Sequence, residues 1–285
     1  LAIVFGGLSA VAKVAEILVP VMALAYIGTA LYVMITNITQ LPHVFYSIFS
    51  NAFTLDAAGG GLFGTVMLTG IKRGLFSNEA GQGSVPNAAA TATANHPVEQ
   101  GLIQAFGVYL TTFIICTASA FIVLIIGDYS TTGLTGVALV QHNLAQELGP
   151  WAPYAMALFI VMFSFSSLVG NYYYGEINIT HLTDKKIYLN LFRIGVVAMA
   201  YIGSVASLEL VWNAADLFMA FLILTNVTAI VLLNKQAVAA LADYVDQKRR
   251  GIKVPVFNKK VLPNQEGLVW WGDGQTTDST AAEKH

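Results

Sequence analysis

The sequence predicts an all-α protein that crosses a membrane several times. Two observations carry this. Only 11% of the 285 residues are charged and 56% are hydrophobic, whereas soluble domains carry about 25% charged residues. Several apolar runs approach the roughly 20 residues that cross a bilayer as a helix. The net charge of −2 leaves no basic footprint for nucleic acid. The single cysteine, Cys116, lies inside an apolar run, excludes an internal disulfide and reads as a packed core thiol.

Taken in order, Leu1-Ala-Ile-Val-Phe5-Gly6-Gly7 reads as the tail of an apolar segment with no positively charged signal region. The sequence is therefore expected to be the C-terminal portion of a longer protein. Residues 16–36 form the first complete span, with Pro20 near its start and the linker Asn37–Pro42 after it. Residues 43–55 are amphipathic and too short to span, so they fit a surface helix or half of a broken one. Asp56-Ala-Ala-Gly59-Gly60-Gly61 is a break, because glycines carry little helical preference.

Residues 62–71 return to apolar character and lead into Lys72-Arg73. Asn87–Ala94 is a run of small residues that allows close helix approach, ended by Asn95-His96-Pro97. Residues 101–126 are a second span, and Gly127–Pro150 reads as a long polar connection. Three further spans follow at 151–175, 188–206 and 211–233. The domain reading is a membrane core over 1–241 and a polar tail over 242–285, whose last dozen residues have a disordered composition. If the spans alternate, Lys13, Lys185-Lys186, Lys235 and the Lys248–Lys260 basic cluster share one side, so the tail is expected to be cytoplasmic.

Two stretches carry chemistry. Gly74-Leu-Phe-Ser77-Asn78-Glu79-Ala-Gly81-Gln-Gly83-Ser84-Val-Pro86 is a polar island between apolar segments. A discontinuous membrane helix exposes main-chain N–H groups at one half-helix start and C=O groups at the other end, which suit carboxylates and Na+ respectively. Gly81 and Gly83 make such a break easy, and Ser84 with Pro86 fits the start of the next half-helix. Glu79 can pair with Lys72 or Arg73, bind a cation or hydrogen-bond a loop. The bland alternative is a cytoplasmic loop with a solvated carboxylate.

The second stretch runs from Phe163 to Glu176. Ser164, Ser167 and Asn171 share a helix face, and hydroxyl oxygens suit a small hard cation. Here the bland reading is that the serines bond back to their own helix. Asn213 and Asp216 fit a helix cap, and Thr225 and Asn226 can hydrogen-bond another helix. The histidines show no metal spacing, and no nucleophile grouping suggests hydrolysis.

Arg73-Gly-Leu-Phe-Ser-Asn-Glu-Ala-Gly-Gln-Gly-Ser-Val-Pro86 resembles the RG-x-FSNEAG-x-GSAP pattern of the alanine or glycine:cation symporters, also called sodium:alanine symporters. Val19–Tyr26, His96–Gly101, Tyr173–Glu176 and Glu209–Asp216 are similar to further segments of that family, in the same order. The resemblance covers roughly residues 1–240 and implies a leucine-transporter-type inverted-repeat fold. This chain would then begin near the end of the fourth core helix and lack the first core helices. The fifth to tenth would follow, with the sixth broken at Ser77–Gly83 and Gly127–Pro150 as an external gate loop.

The implied activity is symport of Na+ with a small neutral amino acid, alanine or glycine, across the plasma membrane (a bacterial inner membrane), with no other cofactor and no catalysis. The implied substrate residues are Phe76, Ser77, Asn78, Gly81, Ser167 and Asn171. The implied Na+ ligands are Phe163, Ser166 and Ser167, and Arg73 and Glu79 are structural charges at the break. The N-terminal part of the same protein is a required partner. The family commonly has T-x-x-G-W in the eighth helix, whereas this chain has Ser167-Leu-Val-Gly170-Asn171. Exchanging Trp for Asn removes a large wall and adds an amide, which points to a larger or more polar substrate such as glutamine. The other classes kept open are an intramembrane enzyme using Glu79 and a non-transporting scaffold or sensor.

Overall fold

The computed structural model describes residues 8–52, 61–126, 131–266, 268 and 271, and among these there are helices and turns but no strand. The helices are α1 (Leu8–Thr36), α2 (Leu41–Ala52), α3 (Gly61–Asn78), α4 (Ser84–Ala90), α5 (Pro97–Leu110), α6 (Thr117–Ile126), α7 (Gly136–Leu148), α8 (Ala152–Leu182), α9 (Lys186–Val205) and α10 (Leu208–Arg249). A π-helical segment, Thr111–Cys116, joins α5 to α6. Five stretches are long and apolar enough to cross a membrane: Glu16–Thr36, Pro97–Ile126, Ala152–Leu182, Lys186–Val205 and Leu208–Arg249. They overlap the five expected spans, the last running on well beyond residue 233. The opening segment Leu1–Gly7, the Asp56–Gly60 part of the glycine break and the last dozen residues lie outside the described residues.

Two compact units divide the chain. The first comprises Leu1–Asn78 and Tyr109–Val211, the second Glu79–Val108 and Trp212–His285. The core of the first unit is built from one face of each contributing helix. Tyr26, Ala30 and Val33 of α1 follow the four-then-three spacing of a helical stripe, as do Ala118, Ile122 and Ile125 of α6. Val44 of α2, Leu144 of α7 and Ala152 and Met156 of α8 close the cluster. The Tyr26 ring stands edge-on to Phe159 and Phe163, with centroids 6.3 and 5.7 Å away, and its hydroxyl meets Ser119 Oγ at 2.7 Å. A buried tyrosine hydroxyl needs such a partner. Met22 and Tyr26 of the Val19–Tyr26 segment are thus core residues.

The Gly127–Pro150 connection is not a plain loop. It contains α7, which buries Leu139, Asn143 and Leu144. The Asn143 amide donates to the carbonyls of Ile122 and Val123, at 3.3 and 3.2 Å, near the C-terminal end of α6, where a helix leaves carbonyls without internal partners. Glu147 accepts from the Asn37 amide at 2.8 Å, so α7 is also tied to the end of α1.

In the second unit, α10 continues past residue 241 to Arg249 without a proline or glycine. The following segment folds back against it. Gln247 Nε2 donates to the carbonyl of Val256 at 2.9 Å, and Val256 N–H donates to Gln247 Oε1 at 3.0 Å. Phe257 N–H donates to the Asn95 carbonyl at 2.9 Å. Under this clasp lies His96, fully buried. Its Nδ1 accepts from Val98 N–H at 3.2 Å, so the ring proton sits on Nε2, which meets Asp243 Oδ2 at 3.2 Å. Tyr244 and Phe257 pack edge-on to the imidazole at 5.0 and 5.1 Å, and Trp271 covers Phe257. His96-Pro97 therefore begins α5 and is held by the clasp.

Candidate functional site

The polar island ends one helix and begins another. α3 runs to Asn78, and Glu79 then takes a left-handed conformation with φ 55, followed by Gly81 at φ 79 and Gly83 at φ 95. An α-helix cannot continue through such angles. Gln82 N–H donates to the Glu79 carbonyl at 3.1 Å and closes the turn. α4 starts at Ser84 with Pro86 in its first turn, where the missing N–H costs nothing. The break falls at Glu79–Gly83, inside the expected Ser77–Gly83 interval. Ser84 is not the cap: Gly83 occupies that position, and no side chain caps the helix. The Ser84 hydroxyl instead donates to Glu79 Oε2 at 2.5 Å. The alanine-rich half-helix stops at Ala90, short of Ala94, where Thr91 bonds back to the Ala88 carbonyl.

Within the second unit the turn rests on α10. Asn226 Nδ2 donates to the Gly81 carbonyl at 2.9 Å. Gln82 is buried and its amide meets Met219 Sδ at 3.2 Å. Asn87 Nδ2 donates to the Gly83 carbonyl at 3.0 Å.

Within the first unit the last turn of α3 faces the π-helical segment. Ser77 Oγ is 3.0 Å from Cys116 Sγ, and Asn78 Nδ2 donates to Thr112 Oγ1 at 3.4 Å. Cys116 is therefore half-buried and hydrogen-bonded to the island, rather than packed deep in the core. π-Helical insertions recur at functional sites because they re-aim side chains. The Arg73 guanidinium lies 5.9 Å over the Phe76 ring.

The hydroxyl stretch of α8 is tied to its own helix. Ser164 Oγ donates to the Val161 carbonyl, Ser166 Oγ to the Phe163 carbonyl at 2.9 Å, and Asn171 Nδ2 to the Ser167 carbonyl at 3.0 Å. Hydroxyl protons so directed leave oxygen lone pairs free. Ser166 Oγ and the Phe163 carbonyl are partnered with each other within α8. Asn213 and Asp216 are inside α10, not at its cap: Ser207 Oγ accepts from Leu210 N–H at the start of that helix. Thr225 bonds back to Phe221 and Leu222, whereas Asn226 reaches another element.

One polar group escaped the reading of the sequence. Arg193, in α9, donates through Nη2 to Glu176 Oε1 at 2.9 Å and through Nε to the Tyr172 hydroxyl at 3.0 Å. Gly175 lets the Phe192 ring lie against α8; a Cβ there would come 2.2 Å from Phe192 Cζ. An arginine inside an apolar span is the signal that points to such a partner.

Five apolar spans, a broken helix and a part-buried ion pair between helices define a multi-pass helical membrane protein. The model of the sodium:alanine symporter family matches residues 1–259, and the chain belongs to that family. A probable sodium/glutamine symporter of Bacillus subtilis (strain 168) is 51% identical over 278 residues, which cover 98% of this chain and 58% of the relative. An amino-acid carrier protein of the same organism is 46% identical over 272 residues, covering 95% and 58%. A sodium/alanine symporter of Methanococcus maripaludis is 37% identical over 235 residues, covering 82% and 52%. The chain thus spans little more than half the length of these relatives.

Proposed function

We propose that this chain is the C-terminal part of a secondary active symporter that couples Na+ influx to uptake of a small neutral amino acid. The observation that carries the reading is the break at Glu79–Gly83, which interrupts an otherwise apolar helix pair inside the family's most specific motif. Irregular backbone in a membrane protein is tolerated where it is buried in protein or lines a cavity. In the inverted-repeat fold that family membership favours, such a break offers main-chain groups to the substrate. Asn78, with Phe76, Ser77 and Gly81, would then contact the amino acid. Ser166, Ser167 and the Phe163 carbonyl would contribute to the Na+ site, completed by the N-terminal part of the protein. Arg73 and Glu79 are the structural charges of the island, and Glu79 does this through Ser84.

Na+ enters down its gradient and the membrane potential adds about 2.3 kcal/mol per charge per 100 mV. The basic residues from Lys248 to Lys260 support a cytoplasmic tail. Family membership favours transport over the intramembrane enzyme and the scaffold. Glutamine is the favoured substrate, because Asn171 supplies an amide where the family commonly has tryptophan and because a relative of high identity is a probable glutamine symporter. The test is uptake into proteoliposomes by the full-length protein. Glutamine entry that needs an inward Na+ gradient is expected. Uptake of alanine and glycine with none of glutamine would remove the glutamine assignment, and uptake indifferent to Na+ would remove the symport reading.

A further inference from the structure

We propose that Asn226 is a positioning residue of the transport site. Its amide fixes the main chain of the Gly81–Gly83 turn, and through it the groups that the break turns toward an amino acid. The inference rests on the transport reading above but assigns a role to a helix outside the motif.

The polar side chains of a lipid-embedded helix ordinarily bond back to the preceding turn. Thr225 and Thr228 of α10 do this, donating to carbonyls of Phe221, Leu222 and Leu224. Asn226 donates instead across to the Gly81 carbonyl at 2.9 Å. It also sets the shape of the turn by contact. A Cβ on Gly83 would stand 3.0 Å from Asn226 Cβ and 3.2 Å from its Cγ, and Gly83 has φ 95. The glycine is therefore required twice, by conformation and by the asparagine against it. Seven residues before Asn226, two helical turns along the same face, Met219 receives the buried Gln82 amide at 3.2 Å. α10 thus grips the turn at consecutive residues 81, 82 and 83. The turn's own closure is short-range: Gln82 N–H to the Glu79 carbonyl, the Ser84 hydroxyl to the Glu79 carboxylate and the Asn87 amide to the Gly83 carbonyl. The α10 contacts tie the left-handed residues Gly81 and Gly83 to a long helix, which these local bonds do not do.

The test uses full-length protein with Asn226→Leu, which keeps the volume and removes the donor, Asn226→Gln, which keeps a donor, and Thr228→Val as a control. Two readouts are taken: KM and kcat for Na+-driven uptake of glutamine and alanine, and hydrogen exchange of the amides of residues 79–85. A net hydrogen bond of about 0.5–1.5 kcal/mol corresponds to a change of about two- to tenfold. Asn226→Leu is expected to raise KM by that factor with kcat changed less, and to speed exchange in residues 79–85 alone. Asn226→Gln should recover part of both effects, and Thr228→Val should alter neither. Unchanged exchange at the turn, or faster exchange with unchanged KM, would overturn the proposal. Faster exchange throughout the protein would also overturn it, as a fold defect. If the wild-type protein takes up no amino acid, the transport reading fails, and the exchange rates alone decide whether Asn226 holds the turn.

Discussion

Glu79 is a non-glycine residue at positive φ in the turn between α3 and α4, and its carboxylate receives a hydroxyl from the residue that begins α4. Strained backbone of this kind persists where the surroundings hold it, and such residues gather at functional sites. Charge-assisted bonds to a carboxylate contribute about 1.5–3 kcal/mol. Glu79→Gln is expected to lower Na+-driven uptake or expression, and Ser84→Ala to lower the thermal midpoint in detergent while Glu79 remains. Full activity with normal Na+ dependence in the glutamine variant would contradict a structural role for the charge. At this scale the motif was legible, because an amide, a carboxylate and glycines in apolar surroundings stand out. The partners were not: nothing in the spacing of Asn226, Met219 or Thr112 marks them as neighbours of residues 78–83. Arg193 was legible and went unread, since a lone guanidinium within an apolar run requires a counter-charge.

Among the elements, α8 and α9 meet through a specific contact. A glycine admits the Phe192 ring, the ring stacks beside Tyr172 at 5.9 Å, and the Arg193–Glu176 pair lies next to them. Arg193 is half-buried and Glu176 buried, so removing the guanidinium strands the carboxylate, while replacing both with apolar residues is often nearly neutral. Arg193→Met is therefore expected to reduce folded yield sharply, and Arg193→Met with Glu176→Leu to restore much of it. Size-exclusion profiles in detergent check this; equal damage in the single and double variants would contradict it. The five spans were readable from apolar length alone, since hydropathy registers surface that meets lipid. α7 was not, because its polar residues such as Gln141, Asn143 and Gln146 disguise a helix that packs by Leu139 and Leu144. The continuation of α10 was hidden for a similar reason: Lys235, Gln236 and Asp243 look like a tail, yet Ala, Leu, Lys and Gln are good helix formers.

At the scale of the molecule, the segment that follows α10 is structural. Phe257 and Leu262 form a small apolar cluster with Ala240, and the clasp covers His96. Deleting the chain after Arg250 is expected to lower the thermal midpoint and to speed hydrogen exchange at residues 95–98. Deleting only residues after Trp271 should do neither. An unchanged midpoint in the shorter form would contradict a structural role for the clasp. The composition of this region pointed only to a charged tail, because aromatic residues as sparse as Phe257 and Trp271 give no periodic signal.

The uninterrupted course of α10 has a mechanical consequence. Its Asn226 touches the turn and its Asp243 and Gln247 hold the clasp. The separation of Asn226 from Asp243 is about 26 Å along the axis at 1.5 Å per residue. No proline or glycine lies between them to act as a hinge. Such a helix keeps the turn and the clasp at a fixed spacing, so one element carries both contacts.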